Sequence, residues 1–267
     1  MESTALAAYC AHLGIPATPP APAERAVRLR QITCAHIARI PYENVSKWLA
    51  IGASGLNRQV APPSFDLARF VHDATAHGLG GTCFRLALGC YHLLRRLGYD
   101  AALVAAPAGD HAAVLVSSED GPRLVDVGFF APFWEPLPLG QPTNWPGALG
   151  QFTVSPGPND ELTLLRPSGT TRVLSLRPVD ETDVWRLWSD SCASGHPLFP
   201  RAVILQRLTD DTAWSLFDRS LHTVTATGVE QRALSHDEAR AVVRDIFGIN
   251  LDIWQAALAV RESLAAQ

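Results

Sequence analysis

The sequence predicts an α+β fold from three observations: a helical N-terminal third, a change to short apolar runs after residue 100, and two helical segments that close the chain. Ser3 is placed to cap a first helix through His12, ended by Gly14, before a loop made by Pro19, Pro20 and Pro22. From Glu24 to Ala38, Ala26, Val27, Ile32 and Ile37 recur at helical spacing until Pro41 stops them. Ser64 is the expected cap of a helix with Leu67, Phe70, Val71 and Ala74 on one face, ended by Gly78. After Gly80-Gly81-Thr82, a further helix runs from Cys83 to Leu97 and stops at Gly98. The period then changes: Ala101–Ala106, His111–Ser117 and Arg123–Val127 read as antiparallel strands, with turns at Gly109-Asp110 and Asp120-Gly121. Phe129–Trp145 is a loop rich in Pro, Phe and Trp, and weaker strands follow to about Leu176. Glu181–Ser189 reads as a helix, and Val203–Leu208, Ala213–Asp218 and Leu221–Ala226 as a meander. Two helices, His236–Phe247 and Leu251 to about Ala265, complete the order, with no internal repeat or low-complexity linker.

The 267 residues are 47% hydrophobic and 18% charged, an ordinary globular composition. A net charge of −4 argues against a nucleic-acid partner. No stretch approaches the roughly 20 apolar residues that span a bilayer, so no membrane partner is expected. The first residues lack the basic region of a signal peptide. Five cysteines, an odd count in a chain of this size, fit a reducing cytoplasmic setting. There is no Cys-x-x-Cys, and His72 with His77 has the wrong spacing for one helix face, so no metal is expected. Lys47 is the sole lysine, which leaves contacts to anionic groups mainly to arginine, whose forked guanidinium suits phosphate.

Cys83 follows a flexible double glycine and opens a helix, where unpaired N–H groups and the helix dipole favour a thiolate. Taken alone, a cysteine there also reads as a small buried hydrophobe, the reading that suits Cys90 in mid-helix. Gly78-Leu79-Gly80-Gly81 echoes a dinucleotide fingerprint, but no strand precedes it. His111 begins an apolar strand, and Asp126 lies inside another, Leu124–Val127, where an unpaired carboxylate is costly. One arrangement resolves these anomalies together: Asp126 accepts from the His111 imidazole, which faces Cys83 as its base. Cys, His and Asp in that order on helix, strand and strand is the arrangement of papain-like and transglutaminase-like thiol enzymes.

Four segments then become familiar: IPYENV (40–45), GGTCF (80–84), DHAAVLV (110–116) and LVDVGF (124–129). Together, with Ser194-Gly195-His196-Pro197, Phe199 and Phe247-Gly248-Ile249, they resemble the arylamine N-acetyltransferases over essentially the whole chain. The resemblance implies three parts around a papain-like Cys-His-Asp site: a helical bundle (1–85), a β-barrel (86–190) and an α/β lid (191–267). It implies Cys83 as nucleophile, His111 as base and Asp126 as orienter of a ping-pong acyl transfer. The acyl group would come from acetyl-CoA or another thioester, with no permanently bound cofactor, and go to an arylamine or hydrazine. The Cys83 N–H is the expected oxyanion donor. Tyr42, Gly128, Phe129 and Phe199 match positions lining the acyl or acceptor pocket, and Glu43 and Asn44 match a structural turn.

Departures from the family pattern bear on substrate. Leu79 and Arg85 stand where the family has Arg and Glu, so that bracing pair must be replaced, with Arg85 seeking another carboxylate. Phe130 replaces a glycine and narrows the expected entrance, and Tyr42 replaces Phe. These changes keep two alternatives open: an amide synthase drawing a larger acyl chain from an acyl carrier protein, and a thiol hydrolase.

Overall fold

The computed structural model describes residues 2–54 and 64–265. Helix α1 (Glu2–Leu13) already contains Ser3, so that residue lies within the helix rather than at its cap; Gly14 ends it in the left-handed region. A 3₁₀ turn at Pro22–Glu24 leads into α2 (Arg25–Arg39). Strand β1 is only Tyr42–Glu43 and is followed by α3 (Val45–Ser54), which the periodicity reading did not contain. Helix α4 (Leu67–His77) is capped by Asp66, not Ser64: the Asp66 carboxylate accepts from the Arg69 N–H at 3.1 Å. Gly78 ends α4 with φ 70°, a conformation that glycine takes without a Cβ clash.

Helix α5 (Cys83–Arg96) is the central element, with ten of its residues buried. A helix apolar on nearly every face belongs inside a core. It packs between α1 and α4 on one side and strands β2 (Ala101–Ala105) and β3 (Ala112–Val116) on the other. The expected boundary between residues 85 and 86 falls inside this unbroken helix.

All three sheets are antiparallel. One has the order β10-β2-β3-β4-β5, adding β4 (Arg123–Val125), β5 (Leu137–Pro138) and β10 (Pro178–Val179). A second runs β6 (Thr143–Trp145), β7 (Phe152–Pro156), β8 (Glu161–Leu165) and β9 (Thr171–Ser175). The two share a core that includes Phe129, Phe133, Phe152, Leu164 and Leu174. This corrects the expected β-barrel, because the described strands form two separate sheets rather than one closed surface. The edge strands show why: β5 and β10 are two residues long and each contains a proline, which has no N–H to hand the ladder on.

The third sheet, β1-β11-β12-β13-β14, joins the two ends of the chain. Strands β11 (Ile204–Leu208), β12 (Thr212–Phe217) and β13 (Ser220–Thr225) are the expected meander, and β14 (Gly228–Ala233) extends it with a fully exposed edge. Helix α6 (Glu181–Asp190) precedes β11. After β14 come α7 (His236–Val242), a π turn (Val243–Phe247) and α8 (Leu251–Ala265), which packs on α3.

Candidate active site

The register of β3 and β4, with Val114 opposite Val125, brings the start of one strand beside the end of the other. His111 immediately precedes β3 and Asp126 immediately follows β4, so the two side chains meet at the same end of the sheet. His111 Nε2 and Asp126 Oδ2 are 2.8 Å apart, and both side chains are wholly buried. Asp126 uses its other oxygen as well, accepting from the Gly128 N–H at 3.2 Å. Burial works against a charged imidazole, but the Asp126 carboxylate and the Cys83 thiol outweigh it and hold His111 up at about 9. The second ring nitrogen, Nδ1, is buried without a hydrogen-bond partner on the protein, and Cys83 lies against this imidazole.

Cys83 is held from three directions. It opens α5, so the first-turn N–H groups have no intrahelical acceptor and remain available to an oxyanion. Its Sγ contacts the Asp110 carbonyl oxygen at 3.8 Å. Gly128 packs on its backbone so closely that a Cβ there would stand 2.6 Å from Cys83 Cα. The preceding turn requires glycine too, because Gly81 has φ 105°.

The segment around Glu43 and Asn44 ties this turn to the C-terminal sheet. Glu43 N donates to the Gly81 carbonyl at 3.0 Å, while Glu43 Oε2 accepts from the Ser46 N–H at 2.8 Å and so caps α3. Asn44 bridges to the far end of the chain: Nδ2 donates to Ala202 O at 2.8 Å and Oδ1 accepts from Ile204 N at 2.7 Å. The replacement brace expected for Arg85 is Asp73 of α4, at 3.0 Å, with both side chains nearly buried.

A pocket of about 500 Å³ opens over Cys83 and is lined by Tyr42, Gly128, Phe129, Phe130 and Phe199, the five pocket residues read from the sequence. The Phe129 ring meets the His111 ring edge to face at 5.4 Å, and Phe199 packs on Trp48 at 5.9 Å. Burial and the adjacent Cys83 push the Tyr42 hydroxyl well up, so it stays protonated. Phe130 has φ 52°, the left-handed region. This backbone explains why glycine suits the position, and a side chain there carries a strain of about 1–2 kcal/mol.

Five charged lining residues escaped the sequence reading: Lys47, Asp110, Arg166, Arg172 and Arg201. Lys47 donates to the Leu198 carbonyl at 2.8 Å, and burial pulls its ammonium down to about 8. Arg166 and Arg172 flank the β8–β9 turn, where charged side chains ordinarily read as solvent-facing, so spacing alone gave no sign of them. The scarcity of lysine was the one available signal. Among the described residues, no group of three or more His, Cys, Asp or Glu side chains could hold a metal ion, and no helix is long and apolar enough to cross a membrane.

A family model described as N-acetyltransferase matches residues 27–256. Comparison with curated protein sequences gives no match. Among solved structures, the arylamine N-acetyltransferase of Mycobacterium marinum superposes with a TM-score of 0.77 at 21% identity, covering 97% of this chain and 98% of that one. A structure of the M. marinum enzyme in complex with CoA gives 0.75 at 21% identity, with 97% and 98% covered. Arylamine N-acetyltransferase C of Bacillus anthracis gives 0.74 at 17% identity, covering 92% of this chain and 98% of that one.

Proposed function

The chain belongs to the arylamine N-acetyltransferase family, and from that premise we propose that it moves an acyl group from a thioester, through Cys83, to an amine. The observation that carries this reading is the buried His111–Asp126 pair beside Cys83 on the wall of a pocket large enough for small substrates. Cys83 Sγ gives its proton to His111 and attacks the thioester carbonyl. The first-turn N–H groups of α5 receive the developing oxyanion. The carbon–sulfur bond to the donor breaks, the departing thiol takes the proton from His111, and the acyl group stays on Cys83. An amine then attacks that carbonyl, His111 takes the amine proton, and Cys83 leaves as the thiolate. Asp126 holds the imidazole in orientation and stabilises its charged form.

In this reading acetyl-CoA is the donor, supported by the CoA complex of the M. marinum relative, and the acceptor is a small arylamine or hydrazine. Tyr42, Gly128, Phe129, Phe130 and Phe199 shape the space the acyl group and amine occupy. The parts 1–85, 86–190 and 191–267 supply the nucleophile, the His–Asp pair and the covering sheet respectively. Five unpaired cysteines suit a reducing, cytoplasmic setting.

Steady-state rates with acetyl-CoA and an arylamine varied together test the order of events. Parallel double-reciprocal lines are expected, because the first thiol leaves before the amine reacts. Intersecting lines would require both substrates bound at once and would remove the Cys83 thioester from the pathway. Equal thioester consumption with and without amine would make the protein a hydrolase. Turnover only with longer, carrier-held acyl chains would make it an amide synthase.

A further inference from the structure

Arg166 and Arg172 project from opposite sides of the β8–β9 turn onto one ring. The Arg166 guanidinium stands 4.2 Å from the Phe129 centroid and that of Arg172 stands 5.5 Å from it. Arg172 has a counter-charge, Asp110, at 3.1 Å. Arg166 donates to the Phe129 carbonyl at 2.9 Å and has no ion pair among the described residues. Asp110 is the only carboxylate among the described residues that line the pocket, against several cations. The half-buried Arg166 fork feels the nearby Asp126 charge but bonds to no carboxylate among the described residues, and a carboxylate presented to it would gain paired charge-assisted hydrogen bonds.

The position identifies which part of a substrate would supply it. Phe129 packs on His111, and Asp110, which holds Arg172, contacts Cys83 Sγ through its carbonyl oxygen. Both guanidinium groups therefore stand at the reacting end of the pocket. The phosphates of a CoA-type donor lie a full pantetheine arm away from its thioester. We propose that Arg166, supported by Arg172, is a specificity-determining residue that selects substrates carrying a carboxylate near the reacting atom. That carboxylate would sit at the far end of the transferred acyl group or on the amine. The inference rests on the acyl-transfer reading for its biological sense, while the anion preference itself is measurable without turnover.

Two kinetic arms separate the sources. In one, succinyl-CoA is compared with acetyl-CoA against 4-aminobenzamide; in the other, 4-aminobenzoate is compared with 4-aminobenzamide against acetyl-CoA. At least one arm is expected to show a tenfold or greater preference in kcat/KM for the charged partner. Arg166→Gln should bring that ratio close to one, and Arg166→Lys should recover part of it. An equal loss with charged and neutral partners would assign Arg166 to folding or to the donor phosphates and overturn the proposal.

Calorimetric titration of Cys83→Ala with benzoate against benzamide, and succinamate against succinamide, supplies the readout that needs no chemistry. Tenfold tighter binding of an anion, lost in Cys83→Ala/Arg166→Gln, is expected. If that preference holds while no substrate pair turns over, acyl transfer fails and the anion pocket stands. Equal binding of anion and neutral isostere overturns the anion pocket whatever the turnover.

Discussion

Asp126→Asn is expected to lower kcat/KM for the proposed acyl transfer by roughly 10³–10⁴-fold, the scale of loss when the orienting carboxylate of a catalytic triad becomes an amide. The substitution keeps size and shape, but an amide lacks the charge that holds His111 at about 9. Its NH₂ group also meets a ring nitrogen that now faces a carboxylate at 2.8 Å. The pH–rate profile carries the diagnostic signature. In the wild type the descending limb is expected near pH 9, where the imidazolium loses its proton; in Asp126→Asn it should move down toward the ordinary histidine range. Stability follows the same sign. A histidine whose pKa is raised by folding contributes fully below its unfolded value, near 6.5, and that contribution is lost as pH rises through about 9. Denaturant midpoints across this window should fall in the wild type and stay flatter in Asp126→Asn. A variant with unchanged activity would exclude His111–Asp126 from the chemistry.

The largest effect on stability is expected at Asp73, which no motif marks. Asp73→Ala leaves the Arg85 guanidinium buried without its 3.0 Å partner, only two residues beyond Cys83. Removing one member of a buried pair costs about 3–5 kcal/mol, because the surviving charge is left uncompensated. In a chain of this size each kcal/mol lowers Tm by roughly 2–4 °C, so the loss is easily read by thermal or urea unfolding. Glu43, buried on the far side of the same turn, offsets the Arg85 charge only in part: burial raises its pKa and Arg85 opposes that rise. The double variant Asp73→Ala/Arg85→Leu removes both charges and should recover most of the stability. If it is no more stable than Asp73→Ala, the pair is not what braces the turn.

Some of this site is legible in the sequence because burial makes polar residues conspicuous. Asp126 at the end of one apolar run and His111 at the start of another need each other, and the antiparallel register of the strands they flank places them side by side. The helices that end at Gly14 and Gly78 are legible for a local reason, since a left-handed residue stops a helix wherever it stands. Features that depend on distant partners are not. Helix α3 begins after a two-residue strand, and the N–H of Ser46 in its first turn is taken by the Glu43 carboxylate rather than by Asn44 at the cap position, because the Asn44 side chain is committed to Ala202 and Ile204. Strand β14 is wholly exposed, so its register is set by pairing with β13 rather than by an apolar face. Barrel closure, expected from the family resemblance, fails where short proline-bearing edge strands end the ladder. Arg166 and Arg172 become pocket residues only once the β8–β9 turn folds over Phe129.

Intact-mass and peptide mass spectrometry of the protein mixed with acetyl-CoA, without amine, tests the acyl-enzyme most directly. One acetyl group is expected on Cys83, absent from Cys83→Ala, not found on the deeply buried Cys90, and discharged when an arylamine is added. Continued transfer to the amine with Cys83 unmodified, or full activity in Cys83→Ala, would contradict it.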